Sequence, residues 1–368
     1  MSDKVKRVLQ VVPSMGFGGI STMLMSIYRN LDTSRVQFDF VAFIEGEYSA
    51  EVTNRGGKVF YFKLMKKQGL PAYMSSLRAV IAQHGPYEAI HAHRAYHDGF
   101  TLWAAHQAGI NRRIAHIHTS NLEMKSRRIL LPFLNWLLLR NATIRLACSH
   151  DAGVFSYGRH QFEVLSNAID AERYRIAATR DRSLLRHELG AGKDMLVIGH
   201  VGRFSPVKNH DFALEVASRL HADGVKFKLV LAGDGPLRSE MEQKASKLSL
   251  DSCVAFLGLR SDIPDVMHAL DVLILPSHFE GLPLTVLEAQ AMGTPCLMSV
   301  GVPRAADIGI GLAHFMDLKD GAVAWAIKLK EISGNGKRDS IVALQALSGA
   351  GYDLQKNIKR LLDLYGIN

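Results

Sequence analysis

The chain has 368 residues, 48% hydrophobic and 21% charged, which excludes a disordered protein and allows two domains with full cores. The whole formal net charge of +9 falls in residues 1–175, concentrated in Lys63, Lys66, Lys67, Arg112, Arg113, Lys125, Arg127, Arg128, Arg140 and Arg145, so this half attracts an anionic surface or ligand. Three separated cysteines, Cys148, Cys253 and Cys296, exclude a disulfide framework and fit a reducing compartment.

Val8–Val12 reads as a first strand, too short and too interrupted by Gln10 for a secretory leader. Gly16-Phe17-Gly18-Gly19 follows, and a helix over Ser21–Asn30. Residues 16–21 fall one short of a dinucleotide fingerprint, with Glu45 at a ribose-like distance. The turn reads either as a plain bend or as a glycine loop bringing N–H groups to a diphosphate. Further strands are expected at Phe38–Ile44, Val59–Phe62, Ala89–His93 and Ile114–His118, with helices at Ala72–His84 and Gly99–Ala108. Such βα units predict a doubly wound parallel sheet.

His91, His93, His97, His116 and His118 crowd two neighbouring strand ends. No carboxylate or cysteine is spaced to complete a metal site, so one or two hydrogen-bonding histidines are the preferred reading. Between Lys125 and Arg145, Arg127, Arg128, Arg140 and Arg145 flank the apolar Leu130, Phe133, Trp136 and Leu137–Leu139. This is either a core helix with a basic end or an interfacial helix on anionic lipid. The apolar run from Ile129 to Leu139 is far short of the roughly 20 residues a spanning helix needs. No motif or array of stacking aromatics points to nucleic acid.

The pattern restarts after a polar stretch at Ala177–Arg182, which predicts domains over 1–176 and 177–352. Strands are expected at Met195–Val201, Phe227–Ala232, Val254–Leu257 and over residues 271–275. Helices are expected at His210–His221, Leu237–Leu248, Ile263–Ala269 and Thr285–Met292. A last helix, Leu354–Tyr365, is apolar on one side and is expected, as part of about 353–368, to dock back on the first domain.

Four strand ends carry chemistry. After Val201 come Gly202-Arg203 and Lys208-Asn209-His210; Arg203 offers a fork of donors and Lys208 a point charge to one anion. Gly233-Asp234-Gly235-Pro236 is turn chemistry that bends the chain near a nucleotide. Arg260 either stacks on a base or pairs with Asp262. After Ser277, Glu280 stands in the loop and Glu288 in the first turns of the next helix. A helix amino end at the carboxyl edge of a parallel sheet suits an anion. Carboxylates there fit hydroxyls better than phosphate, which together describe a sugar nucleotide.

Gly18-Gly19, His116-Ile-His118, Leu165-Ser-Asn167-Ala-Ile-Asp170, Gly202-Arg203 with Lys208-Asn209-His210, Gly233-Asp234-Gly235 and Pro276–Pro295 run along most of the chain. In that order they resemble retaining GT-B glycosyltransferases of family 4 (glycosyl transferases group 1), of the bacterial capsular and exopolysaccharide type. The resemblance implies two Rossmann-like, doubly wound parallel-sheet domains facing across a cleft, the first binding acceptor and the second donor. It implies that Arg203 and Lys208 hold the donor diphosphate, Glu288 the ribose and Glu280 the transferred sugar. His118 would approach that sugar, and backbone amides at Gly18, Gly19, Leu284 and Thr285 would meet phosphate. Gly233 and Arg260 are further candidates for the donor-binding side.

The implied reaction moves a hexose or N-acetylhexosamine from a UDP-sugar, without metal or other cofactor, to a glycan or polyprenyl-diphosphate-linked acceptor. The basic first domain would rest on the inner face of the cytoplasmic membrane. Ala168 stands where the family has glycine, and residues 300–307 lack a glutamate that many relatives carry. A GT-B-like sugar-nucleotide epimerase, a nicotinamide oxidoreductase built on Gly16–Gly19, and a non-catalytic sugar-nucleotide binder are the rival readings.

Overall fold

The computed structural model of the chain describes residues 5–118 and 130–367, with Lys66 described by its backbone alone. Lys125, Arg127, Arg128 and Ile129 lie outside these residues. Backbone contacts divide the chain into two units, Met1–Ala168 with Leu354–Asn368, and Ile169–Asp353.

In the first unit the strands are β1 (Lys6–Val11), β2 (Val36–Ala42), β3 (Val59–Tyr61), β4 (Ala89–Ala92), β5 (Arg112–Ile117), β6 (Ile144–Ala147) and β7 (Glu163–Val164). They form one parallel sheet in the order β3-β2-β1-β4-β5-β6-β7. Strands β1, β2 and β4 are buried along most of their length, as parallel strands covered on both faces must be. Helices Gly19–Arg29, Leu70–His84 and Asp98–Gln107 match the periodic segments. Strands β6 and β7 were missed, being only four and two residues long and interrupted by Arg145 and Glu163.

The helix Leu131–Asn141 buries Leu137, Leu138 and Asn141. The C-terminal helix Leu354–Tyr365 belongs to the first unit and buries Leu354, Ile358, Leu361 and Tyr365. Ala168 is buried without a left-handed backbone, so it needs no glycine.

The second unit repeats the plan with β8 (Leu196–Val201), β9 (Phe227–Ala232), β10 (Val254–Gly258), β11 (Val272–Leu275), β12 (Cys296–Ser299) and β13 (Ala313–Met316). The order is β10-β9-β8-β11-β12-β13, again all parallel. This unit begins at Ile169 rather than at residue 177. The helix Ala171–Ala178 buries Tyr174 and Ala177 in the second core, so the polar stretch after it is a surface loop within one unit.

Asp271 pins the start of β11. Its carboxylate accepts from the Val197 N–H at 2.8 Å, from Arg186 at 2.9 Å and from Arg182 at 2.5 Å. Burial pushes this carboxyl up, but the Val197 N–H and the two guanidiniums outweigh it and hold it below the usual range. A carboxyl depressed on folding stabilises above its unfolded value of about 3.9, and the gain fades as pH falls through the folded value. Asp271→Asn is therefore expected to lower stability by about 2–3 kcal/mol at pH 7, discounted from a fully buried pair for partial exposure. Urea unfolding should show the deficit shrinking below about pH 4; a deficit independent of pH would contradict this.

Strand order reverses between β1 and β4 in the first sheet and between β8 and β11 in the second. Open α/β sheets place their ligand crevices outside the carboxyl ends of strands at such points.

Candidate functional site

At the β8/β11 reversal the two loops predicted to carry phosphate and sugar contacts meet. The β8 loop turns through a 3-10 segment, Pro206–Lys208, and Asn209 in left-handed backbone, before the helix His210–Ala222. Asn209 Nδ2 donates to Pro276 O at 3.1 Å, and the His278 N–H donates to Val207 O at 2.8 Å. Buried His200 donates Nε2–H to Lys208 O at 3.0 Å; burial pushes its pKa down to about 4, keeping it neutral. Lys208 is thus fixed from behind.

Lys208 Nζ lies 2.6 Å from Glu280 Oε1, and Ser277 Oγ donates to the same oxygen at 2.7 Å. The two charged side chains are only 20% and 11% exposed. Glu280 Oε2 has no hydrogen-bond partner among the described residues and is left for a ligand. Lys208 and Glu280 thus form a partly buried ion pair with each other. The Glu280 N–H donates to Gly301 O at 3.0 Å. Gly301 itself has to be glycine, because a Cβ there would lie 2.1 Å from His278 O. The 300–307 loop, which lacks the relatives' glutamate, thus holds Glu280 through its backbone.

Arg203 is exposed and has no partner among the described residues. Its neighbours are fixed: Gly202 N–H donates to Ala232 O, Phe204 N–H to Asp234 O, and the buried Phe204 ring stacks on His210 with centroids 4.0 Å apart. Gly233 has φ +144°, and a Cβ there would strike Gly202 O at 2.0 Å, so its glycine serves the close approach of β8 and β9. Arg260 takes the second of its two readings, forking onto Asp262 at 2.7 and 2.5 Å.

The helix Leu284–Ala291 is capped by Pro283, without a side-chain acceptor for its first N–H groups at Leu284 and Thr285. Thr285 Oγ1 is buried and unpartnered. Burial raises the pKa of Glu288, against the lowering influence of the Tyr174 phenol and of the Arg173 charge nearby. Tyr174, Ser277 and the Gly301 carbonyl were missed from sequence; Tyr174 stands 114 residues before its partner, with no spacing to link them.

In the first unit, Gly18 caps the helix Gly19–Arg29, and neither Gly18 nor Gly19 faces an atom within 4 Å of where a Cβ would stand. The Phe17 N–H is already taken by Glu47 Oε2 at 3.3 Å. Strand β2 ends at Ala42, leaving Glu45 exposed beyond it, so the dinucleotide reading loses its carboxylate at the strand end. His91, His93, His116 and His118 do gather, on facing positions of β4 and β5, while His97 lies apart on a 3-10 turn. Ring nitrogens of His91, His93 and His116 lie within 4.8 Å of one another and could hold a metal ion. However, both nitrogens of His93 are engaged, by His118 at 2.9 Å and Gln10 at 3.0 Å. A metal bound there would have to break one of these bonds.

Residues 17–173 match the family model described as Glycosyltransferase Family 4, and residues 181–310 the model described as Glycosyl transferases group 1. The putative glycosyltransferase EpsF of Bacillus subtilis (strain 168) is 37% identical to the chain, over all of it and 98% of that relative. The chain belongs to the family 4, group 1 glycosyltransferases. An Escherichia coli member of this family, UDP-Gal:alpha-D-GlcNAc-diphosphoundecaprenol alpha-1,3-galactosyltransferase, is 30% identical over 58% of each chain. The two parallel-sheet units are those of the GT-B glycosyltransferase fold. Anabaena Alr3699/HepE, solved with UDP and glucose, shares that fold with a TM-score of 0.78 at 19% identity, over 98% of this glycosyltransferase and 99% of that chain. Sucrose-phosphate synthase of Thermosynechococcus elongatus does so at 0.75 and 17%, over 98% of both.

Proposed function

We propose that this glycosyltransferase moves a hexose or N-acetylhexosamine from a UDP-sugar, with retention, to a glycan or polyprenyl-diphosphate-linked acceptor in surface polysaccharide synthesis. The observation that carries the reading is the trio Lys208, Glu280 and Ser277 at the β8/β11 reversal, with Arg203 unpartnered nearby. Arg203, with Lys208 drawn from Glu280, holds the diphosphate and stabilises the negative charge that grows on it as the sugar leaves. Amides at Leu284 and Thr285 meet the same phosphates, and those of Gly18 and Gly19 are the first unit's candidates for phosphate. Glu288 takes the ribose hydroxyls, and the open Oε2 of Glu280 the transferred sugar. His118 is the first unit's candidate for a sugar hydroxyl; Gly233 lies along the nucleotide, and Arg260 would join it on leaving Asp262. The leaving phosphate accepts the acceptor's proton, so no protein nucleophile is required. The name of the E. coli galactosyltransferase, with its diphosphoundecaprenol-linked acceptor, supports the lipid-linked part of this reading.

A panel of sugar nucleotides, assayed for nucleoside diphosphate release with membrane extract as acceptor, tests it. Silence with every donor, from protein shown to be folded, would overturn it.

No helix among the described residues is long and apolar enough to cross a membrane. Peripheral attachment is the proposed alternative, through the basic first unit. There Leu130, Phe133 and Trp136 are each more than half exposed, and the Arg140 guanidinium lies 5.7 Å from the Trp136 ring centre. Arg113 and Arg145 contribute less, since both donate to backbone carbonyls. Phe133→Ser with Trp136→Ser is expected to reduce sedimentation with anionic liposomes at low salt by about tenfold. Unchanged sedimentation would remove the membrane from the proposal.

A further inference from the structure

The C-terminal helix delivers one polar atom into the first sheet. Tyr365 is fully buried, and its hydroxyl lies 2.7 Å from His91 Nδ1 and accepts from Gln10 Nε2 at 3.2 Å. Gln10 Oε1 lies 3.0 Å from His93 Nε2, and His93 Nδ1 lies 2.9 Å from His118 Nε2. These five side chains form one continuous line of hydrogen bonds from β1, β4 and β5 to the last helix.

The orientation of the Gln10 amide fixes every proton along it. Gln10 Oε1 can only accept, so His93 Nε2 carries its hydrogen and His93 Nδ1 is a bare lone pair. His118 Nε2–H must then donate to it, which leaves His118 Nδ1 as an acceptor. At the other end, Gln10 Nε2 donates to the phenol, whose own hydrogen goes to His91 Nδ1. Burial holds the pKa of His91 and His93 well below the ordinary value and pushes that of His118 down to about 3, so all three rings are neutral and each has one hydrogen to place.

We propose that Gln10, His93 and Tyr365 are positioning residues that lock His118 in the Nε2–H tautomer, so that its Nδ1 accepts a hydrogen bond from a substrate hydroxyl. Such a ring is too weak a base to remove the proton, so its task is to orient the hydroxyl. A reversed Gln10 amide would invert every ring in the line and turn His118 Nδ1 into a donor. The Tyr365 hydroxyl ties the amide to His91 and so couples the chain's last helix to the polarity of His118. The inference rests on the proposed contact of His118 with a sugar hydroxyl, and its test separates the two.

Full-length protein labelled with 15N at histidine is examined by long-range proton–nitrogen correlation at pH 7, with the His118→Asn spectrum identifying the His118 signals. The expected result is a protonated Nε2 and a bare Nδ1. Tyr365→Phe and Gln10→Met are expected to give His118 mixed tautomers and to lower turnover about 3- to 10-fold, the worth of one neutral hydrogen bond. Donor KM should stay unchanged, and thermal unfolding identifies any variant whose fold is lost. Tyr365→Phe, which removes one atom, carries the test if Gln10→Met does not fold. A protonated Nδ1 in the wild type, or a tautomer insensitive to both variants, overturns the inference. A tautomer that shifts as expected with turnover unchanged supports the lock and overturns the proposed role of His118.

Discussion

Arg203→Ala is expected to lower turnover by about 10²–10³, the typical cost of removing one group that stabilises transition-state charge, while leaving thermal unfolding where it is. The stability half follows from exposure: Arg203 makes no hydrogen bond or ion pair among the described residues, and its backbone is held by Gly202 and Phe204. Truncating it therefore breaks nothing in the fold. The activity half follows from timing. A diphosphate carries more negative charge at its bridging oxygen when it departs than when it is esterified to sugar, so a cation beside it is more effective in the transition state. Lys208 cannot fully substitute, because it is a single point charge that Glu280 beside it partly neutralises. Arg203→Lys should recover only part of the loss, since one point charge replaces a planar fork. Steady-state kinetics with the donor identified by the panel provide the measurement; a kcat within threefold of wild type would place the diphosphate elsewhere.

The donor-side loops were legible because β8, β9, β10 and β11 each end where a short apolar run meets glycine or proline. Val201-Gly202 and Leu275-Pro276 are such ends, and the reversal of strand order between β8 and β11 then brings them together. What the pattern did not carry is which charges meet. Arg203 and Lys208 read as equivalent phosphate ligands, yet one is exposed and unpartnered while the other is tied to Glu280. That difference depends on the reach of a side chain across two loops, which no local spacing encodes. Arg260 was left between stacking and pairing for the same reason, and the fork onto Asp262 is a two-residue contact decided by rotamer.

In the first unit the histidines were visible as a cluster, because β-strand alternation puts His91 and His93 on one face and His116 and His118 on another strand's matching face. Their partners were not. Gln10 read as an interruption in an apolar strand and Tyr365 as one apolar residue on a helix stripe, although together they anchor the line of hydrogen bonds. The missed β12 and β13 are four residues each, too short for periodicity to separate strand from helix.

Glu280→Ala and Glu288→Ala are expected to fail in opposite ways. Removing Glu280 takes the contact to the transferred sugar, so kcat should fall by about 10² or more. It also releases Lys208 Nζ and Ser277 Oγ from Oε1. A freed ammonium beside the diphosphate binds it more tightly, so inhibition by UDP should strengthen several-fold even as turnover collapses. Glu288 sits on the helix behind, half-buried beside Tyr174, where its carboxyl suits ribose hydroxyls. Its loss should raise donor KM by about 10- to 100-fold, the worth of hydrogen bonds to a charged group, with kcat near wild type at saturation. UDP should bind this variant more weakly by a similar factor, because ribose belongs to product as well as substrate. The pair of UDP inhibition constants is thus the sharper readout: tighter for Glu280→Ala, weaker for Glu288→Ala. The opposite ordering would mean that the ribose lies against Lys208 and the sugar against Tyr174, reversing the direction in which the donor runs along the helix Leu284–Ala291.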